Sequence, residues 1–283
     1  MMQYSTSANP PVILTFSTLD PSGCGGIQAD IETAISLGCH CAPVATSMCT
    51  SGFSDELDVL PVEAPLLIEQ ARSILENMDV KAIKIGYLGS VANAEAIHTI
   101  IRDYPDIPVI AHPALCLWQP DAPEQAGLDE AFSTLIAPFA DIVNLTLHEV
   151  RTLVPQADTV DAAAHAFIAA DAAGEVFISG TGKEHQQFQN SLYNERGLVR
   201  HYRWEQEPPS CHGASSTLAS AVAAYLAHGS SLTQAIEQAQ NFTWQAMRTS
   251  RQLGFGKRTP HRLYWADPNI DSPEEWPAEN AKH

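Results

Sequence analysis

The sequence is poor in basic residues. Its 283 residues include 15 Lys and Arg against 33 Asp and Glu, which gives a formal net charge of −18 at pH 7. A chain this acidic is repelled by nucleic acids and by anionic lipid surfaces. Because overall charge cannot attract a phosphate group, an anionic ligand must be held by a local device such as the N-terminus of a helix. We therefore expect a small-molecule ligand, and neither nucleic acid nor a membrane as a partner.

Long apolar runs and paired cysteine motifs are also lacking. The sequence holds no run of about 18 apolar residues, so we expect no membrane span. Residues 1–10 lack the basic and apolar segments of a signal peptide, so we expect a cytoplasmic protein. Six cysteines in a chain of this size do not make a disulfide framework, and Cys39-His40-Cys41 has no second Cys/His pair at zinc spacing. We expect all six to be buried structural residues.

Strand and helix patterns alternate along the chain. Apolar runs typical of buried strands cover 12–16, 41–48, 81–85, 108–111, 141–143 and 176–178. Helical periodicity covers 27–37, 64–78, 93–102, 128–137 and 160–173, and a hairpin pattern (188–193 and 198–204) precedes two helices over 213–227 and 232–250. This order predicts a mostly parallel sheet with helices on both faces. We expect one α/β domain over 1–266 and a loose acidic tail over 267–283.

The turn Asp20-Pro-Ser-Gly-Cys-Gly-Gly26 joins the first strand to the first helix. In a parallel sheet this position lies at the carboxyl edge, where ligands bind. A Walker A loop is excluded because neither Lys-Ser nor Lys-Thr follows the last glycine, and the glycine spacing fits a dinucleotide fingerprint poorly. A glycine-rich connection without a ligand remains the alternative interpretation.

Four segments carry a resemblance to a known family. Residues 19–30 read L-D-P-S-G-C-G-G-I-Q-A-D, residues 84–89 read K-I-G-Y-L-G, residues 211–218 read C-H-G-A-S-S-T-L, and Gly254-x-Gly256 precedes Pro260. In this order they resemble hydroxymethylpyrimidine/phosphomethylpyrimidine kinases of thiamine biosynthesis, which belong to the ribokinase-like superfamily. The resemblance runs from Val12 to about His261. It implies a ribokinase-like three-layer sandwich and a homodimer.

The resemblance also implies an activity. Such enzymes transfer the γ-phosphoryl group of ATP, with Mg²⁺, to 4-amino-5-hydroxymethyl-2-methylpyrimidine or its monophosphate. On the pyrimidine side it implies contacts from Asp20, Gly26, Asp30, Ser51, Gly86 and Tyr87. On the phosphate side it implies a catalytic turn at Gly213, Ala214, Ser215 and Ser216, nucleotide contacts at Ser179, Gly180 and Lys183, and a metal contact at Glu149. The alternatives are an exposed acid of the first helical turn for Asp30 and a solvated lysine for Lys183.

Several family positions are changed in this sequence, mostly on the phosphate and metal side. Ser216 stands where the family has its presumed base, a cysteine, and Ser179 stands at a lysine position. The family motif N-x-x-E reads Thr146-Leu-His-Glu149, His112 stands at an aspartate position, and Ser51 aligns with a glutamine. We expect a kinase with weakened activity. The alternative is a catalytically silent pyrimidine-binding member of the same fold that acts as a sensor or a partner subunit.

Overall fold

One mixed sheet organises the part of the chain that the computed structural model describes, residues 9–50, 58–117, 127–169, 174–184, 187–204 and 206–270. Nine strands were found within these ranges. They are β1 (Val12–Leu19), β2 (His40–Cys49), β3 (Val59–Pro61), β4 (Val80–Ile85), β5 (Val109–Ala111), β6 (Ile142–Thr146), β7 (Glu175–Glu184), β8 (Gln187–Asn194) and β9 (Gly197–Trp204). Their order across the sheet is β3-β2-β1-β4-β5-β6-β7-β8-β9.

The centre of the sheet is parallel and its edges are antiparallel. Strands β2, β1, β4, β5, β6 and β7 pair in parallel. Strand β3 pairs antiparallel with β2, and β8 pairs antiparallel with both β7 and β9. The chain moves from β1 to one side and then returns to place β4 on the other side of β1. This reversal of direction is the kind of switch point at which α/β sheets bind ligands.

Helices cover both faces of the sheet. They are α1 (Gly26–Ser36), α2 (Ala64–Asn77), α3 (Val91–Asp103), α4 (Leu128–Ala131), α5 (Leu147–Leu153), α6 (Val160–Ala169), α7 (Ala214–Ala227) and α8 (Leu232–Arg248). Alternate strand residues face opposite layers, as the two-residue period of a strand requires. Ile13, Ile110 and Phe177 pack with α1, α7 and α8, whereas Leu14 and Ile83 pack with α2 and α3 on the other face. The predicted mostly parallel α/β sheet is confirmed.

Two helical segments differ from the sequence prediction. The helix predicted over 128–137 is divided into α4, a π-helical turn (Phe132–Ile136) and a 3₁₀ turn (Ala137–Phe139). Pro138 has no N–H to donate to the preceding turn, so a regular α-helix cannot continue through it. Helix α5 was missed, although Thr146 and Glu149 form a capping box at its start. Residues 170–173 of the helix predicted over 160–173 lie outside the described residues.

The described chain includes the first four residues of the predicted tail, 267–270. The sequence predicts a loose tail from Asp267, yet the Asp267 carboxylate accepts a hydrogen bond from Arg251 at 2.7 Å. The rest of the predicted tail, from residue 271, lies outside the described residues.

Among the helices that the structure describes, none has both the length and the apolar character needed to cross a bilayer.

Candidate functional site

A cavity of about 530 Å³ lies at the carboxyl edge of the parallel strands. Its wall includes residues at or just beyond the ends of β1, β2, β5 and β6, together with the start of α7. The site therefore lies where the topology of the sheet predicts a ligand. The first turn and the start of α7, which are about 190 residues apart in the sequence, meet in this cavity, as the contact between Asp20 and His212 shows.

The N-terminus of α7 opens into the cavity. Gly213 precedes the helix with a φ of +82°, and the first helical hydrogen bond runs from the N–H of Thr217 to the Gly213 carbonyl at 2.9 Å. The N–H groups of residues 214–216 therefore have no acceptor within the helix. Together with the helix dipole they form an arrangement that binds an anion such as a phosphate group. Ser216 lies in this turn and is 9% exposed.

Glycine is required at the start of this helix. A Cβ atom on Gly213 would lie 1.8 Å from the carbonyl oxygen of Cys24, and the positive φ already disfavours any L side chain. The first turn and the α7 N-terminus are thus in backbone contact. Gly26, at the start of α1, is equally restricted, since its φ is +57° and a Cβ atom would lie 2.2 Å from the Thr18 carbonyl oxygen.

Asp20 is held as a carboxylate by the first turn. One oxygen accepts hydrogen bonds from the Ser22 N–H at 2.8 Å and the Ser22 hydroxyl at 2.6 Å, and the other accepts from the Gly25 N–H at 2.8 Å. The Nε2 atom of His212 lies 3.3 Å from that second oxygen. Desolvation opposes ionisation, but the hydrogen bonds from His212, Ser22 and Gly25 outweigh it and hold the pKa of Asp20 well below its usual range.

Glu149 also faces the cavity, and its carboxylate caps α5. Its Oε2 atom accepts from the Thr146 N–H at 2.8 Å, and its Oε1 atom accepts from the Leu115 N–H at 3.1 Å. A carboxylate has about four lone-pair directions, so two remain for a ligand or a water molecule. His112 is nearby on the wall and almost fully buried, with Nδ1 3.2 Å from the Asn144 carbonyl oxygen. Burial lowers the pKa of His112 and favours the neutral imidazole.

Asp30 occupies a different place from the one predicted. It is completely buried, and its two oxygens lie 2.9 and 3.0 Å from the Lys84 ammonium. One of them also accepts a hydrogen bond from the Ser220 hydroxyl at 2.6 Å. None of these three residues lines the cavity. The structure therefore corrects both interpretations of Asp30, the pyrimidine contact and the exposed helix acid: the residue is half of a buried ion pair that joins α1, β4 and α7.

Other predicted contacts do not line this cavity or lie outside the described residues. Gly86 and Tyr87 do not line the cavity, and Tyr87 is 1% exposed. Ser179 and Gly180 lie in β7, where the Ser179 hydroxyl donates to the Leu145 carbonyl at 3.3 Å, and they do not line the cavity either. Ser51 lies outside the described residues, and so does the side chain of Lys183.

The cavity also contains residues that the sequence analysis did not place there. The three cysteines Cys49, Cys116 and Cys211 line it, and none of them is buried. The prediction of buried structural cysteines is therefore wrong for these three and confirmed for Cys24, Cys39 and Cys41. Cys49 is the last residue of β2, at the carboxyl edge, so its position in a strand was a usable signal. Lys257 lines the cavity as well, and the sequence offers it, with Lys183 and Arg258, as a cation that could make up the lost phosphate charge.

The fold is a ribokinase-like α/β fold. It is defined by the order of strands in the sheet, by the helical layers on both faces and by a cavity into which the N-terminus of a helix opens. The crystal structure of an ADP complex of Bacillus subtilis pyridoxal kinase matches this chain with a TM-score of 0.80 and 25% identity. That match covers 91% of this chain and 100% of the other. The family model of phosphomethylpyrimidine kinase matches residues 20–261. The chain belongs to this family of phosphotransferases, which confirms the predicted resemblance.

Curated relatives agree with the family. A hydroxymethylpyrimidine/phosphomethylpyrimidine kinase of Streptomyces coelicolor is 30% identical over 267 residues, which cover 87% of this chain and 92% of the relative. A probable thiamine biosynthetic bifunctional enzyme of Oryza sativa is 24% identical over 251 residues. The chain spans about half the length of this plant relative, since the match covers 87% of the chain but 46% of the relative.

Proposed function

We propose that the protein is an ATP-dependent kinase of 4-amino-5-hydroxymethyl-2-methylpyrimidine and its monophosphate, with weakened turnover. The observation that carries the proposal is the N-terminus of α7, which opens into the cavity directly beside the first turn. Phosphoryl transfer passes through a loose transition state, so positioning and electrostatic stabilisation supply most of the catalysis. The backbone N–H groups of residues 214–216 contribute to both.

The substrate ring fits beside the first turn. Asp20 stays ionised at neutral pH, and its Oδ2 atom can accept from the exocyclic amine of an aminopyrimidine where the ring takes the place of the His212 side chain. Ser216 lies in the α7 turn, where its hydroxyl can hydrogen-bond the acceptor hydroxyl and orient it toward the transferring group. A serine hydroxyl is not a base near neutral pH, so Ser216 acts as a positioning group. This difference from the cysteine of the family motif is our reason for expecting weak turnover.

The cavity residues fit a nucleotide with its metal ion. Bound ATP would supply the phosphoryl group, and Mg²⁺ would neutralise charge on its phosphates. Magnesium in such sites keeps several water ligands and uses one or two carboxylates. Glu149 has free lone pairs for this purpose and would hold the ion through water. Ser179, Gly180 and Lys183 remain proposed nucleotide contacts from β7.

A second candidate function is supported by two neutral groups in the cavity. His112 is buried and uncharged where the family motif has an aspartate, and the Thr146 hydroxyl is used in the α5 capping box. The metal side thus has fewer ligands than the family motif implies. A site that binds the pyrimidine but holds Mg²⁺ poorly is what we expect of a catalytically silent member of the family, which would act as a sensor or a partner subunit.

The proposed homodimer has a matching surface. Leu19, Met48 and Leu60 are paired across β1, β2 and β3, so their side chains form one row on the same face of the sheet. Their exposed fractions are 39%, 48% and 56%. Association with a second copy would remove this apolar row from water.

ADP release separates the two candidate functions. We would measure it with ATP and Mg²⁺, with and without the hydroxymethylpyrimidine, for the wild type, Ser216→Cys and Asp20→Asn. A thiol at a helix N-terminus has a lowered pKa and is a better base than a hydroxyl, so Ser216→Cys should raise pyrimidine-dependent turnover about tenfold. Asp20→Asn should lose most of it because the ring loses its anionic acceptor.

A contaminating kinase would give the same rate in all three preparations. Pyrimidine-independent ADP release, or none in any preparation, would contradict the kinase proposal. Calorimetric binding of the pyrimidine by such an inactive protein would then favour the silent binding function.

A further inference from the structure

The proposed kinase needs a cation that the family motif no longer supplies. The cavity already contains the carboxylates of Asp20 and Glu149, and the whole chain carries a formal charge of −18. A nucleoside triphosphate adds several more negative charges. At the lysine position of the family, Ser179 donates its hydroxyl to the Leu145 carbonyl and offers no charge. Another lysine or arginine must therefore face the phosphates.

Most nearby cations are already engaged. Lys84 is fully buried in its ion pair with Asp30. Arg262 is also buried, and its guanidinium donates to the Thr217 hydroxyl at 2.9 Å and to Glu32 at 2.8 Å. Arg258 donates to the Ser250 hydroxyl at 2.8 Å and to the Ser250 carbonyl. These groups cannot turn to a ligand without breaking their present hydrogen bonds.

Lys257 is different because it is exposed and lines the cavity. Among the lysines and arginines whose side chains the structure describes, Lys257 is the only one that lines the cavity. It shares that wall with residues 213–216 at the start of α7 and with Glu149. A lysine ammonium is a compact charge on a long stem, which suits it to contact a phosphate group.

The loop that carries Lys257 is hydrogen-bonded to the segment that leads into α7. Arg251 and Thr259 exchange two backbone hydrogen bonds of 2.9 Å at the base of the loop. The His212 N–H donates to the Arg258 carbonyl at 2.8 Å, so the residue after Lys257 is bonded to the residue before Gly213. The backbone of Lys257 is thereby kept beside the α7 N-terminus, and the residue is exposed at the cavity wall.

We propose that Lys257 is the phosphate-binding cation of this site, in place of the lysine missing at residue 179. Its ammonium contacts the phosphate groups of the bound triphosphate, and the N–H groups of residues 214–216 contact them from the α7 N-terminus. This inference rests on the proposed kinase function, because it assigns a ligand of that same cavity. Lys257 is a binding residue, and its charge also stabilises the transferring phosphoryl group.

The test is the binding of two anionic probes. Isothermal titration with inorganic tripolyphosphate and with ADP would compare the wild type, Lys257→Ala and Lys257→Arg. The matched control is Lys81→Ala, since Lys81 is also exposed but lies at the start of β4, at the opposite edge of the sheet, paired with Asp79 at 2.7 Å. Each protein would be measured at about 50 and 200 mM salt, because screening weakens contacts between charges.

We expect Lys257→Ala to bind both probes about 10- to 100-fold more weakly, the range for a lost hydrogen bond to a charged group. Lys257→Arg should stay within about threefold of the wild type, Lys81→Ala should be unchanged, and salt should weaken Lys257→Ala less than the wild type. Equal affinities of the wild type and Lys257→Ala would overturn the inference. A wild type that binds neither probe would overturn it together with the kinase proposal. Lys257-dependent binding of tripolyphosphate without any pyrimidine-dependent turnover would support the inference and reject the kinase proposal alone.

Discussion

Asp20 is ionised in a partly closed site because of the hydrogen bonds that surround it. Ser22 and Gly25 belong to its own turn, whereas His212 comes from the segment before α7. The pKa of Asp20 is lower in the folded than in the unfolded chain, so the unfolded chain takes up the proton first as the pH falls. The stabilisation is complete above the unfolded pKa of about 4 and is lost as the pH falls through the folded value.

This behaviour predicts a pH-dependent effect of Asp20→Asn. At pH 7 the variant should be about 1–3 kcal/mol less stable than the wild type, because hydrogen bonds to a charged acceptor are lost. The difference should shrink steadily between pH 4 and the lowest pH at which the wild type stays folded. Urea unfolding of both proteins across this range measures it. A difference that is independent of pH would show that the ionised carboxylate is not what stabilises the turn.

At the scale of single elements, the start of α7 depends on one backbone conformation. Gly213 supplies the positive φ, leaves room for the Cys24 carbonyl, and lets the first turn approach the helix. Gly229, just beyond the end of the same helix, has a similar φ of +87°, but a Cβ atom there would have nothing within 4 Å. Substituting each glycine by alanine therefore separates two contributions to the loss of stability. Gly229 measures the cost of a positive φ alone, and Gly213 adds the cost of overlap with the Cys24 carbonyl.

We expect Gly229→Ala to destabilise the protein by about 1 kcal/mol, the cost of a positive φ for alanine. Gly213→Ala should cost about 3 kcal/mol or more, because the overlap with Cys24 forces the backbone to move. It should also weaken ADP binding more than Gly229→Ala does. Chemical denaturation and titration calorimetry give the two quantities. Equal destabilisation by both substitutions would mean that the contact between the first turn and α7 is not essential.

At the scale of the whole molecule, charge and apolar surface act against each other. Two copies of a chain with a formal charge of −18 repel, and the repulsion falls as salt screens it. The apolar row of Leu19, Met48 and Leu60 favours association. Within each copy, the buried group of Asp30, Lys84 and Ser220 connects one helical layer to the sheet.

Leu60→Glu tests the dimer. It places a charge in the apolar row and should convert a dimer into a monomer in sedimentation velocity. The wild-type dimer should tighten when salt is raised from about 20 to 200 mM. Leu198→Glu is the control, because Leu198 is 45% exposed on β9, at the other edge of the sheet. A wild type that is monomeric throughout, or a dimer lost only in Leu198→Glu, would contradict the proposed interface.

Much of the fold could be predicted because its signals are local. The strand at 12–16 and the helix at 64–78 are visible as short-range apolar periodicity, and both are present as β1 and α2. The glycines near residues 26 and 213 mark turns through their own backbone preference. The helix over 128–137 was predicted incorrectly because Pro138 changes the hydrogen-bond pattern within an otherwise regular apolar spacing.

The sequence by itself determined most of the order of strands and helices, all but β3, α5 and the segment over 128–139. It also determined the acidic character and the two turns that meet in the cavity, since each depends on neighbouring residues. Only the tertiary structure decided which side chains share an environment. Asp30 meets Lys84 and Ser220, which are 54 and 190 positions away, and so becomes a buried ion pair. The same long-range packing puts Lys257 on the cavity wall. Contacts across such separations leave no local pattern, because they arise from how the layers pack.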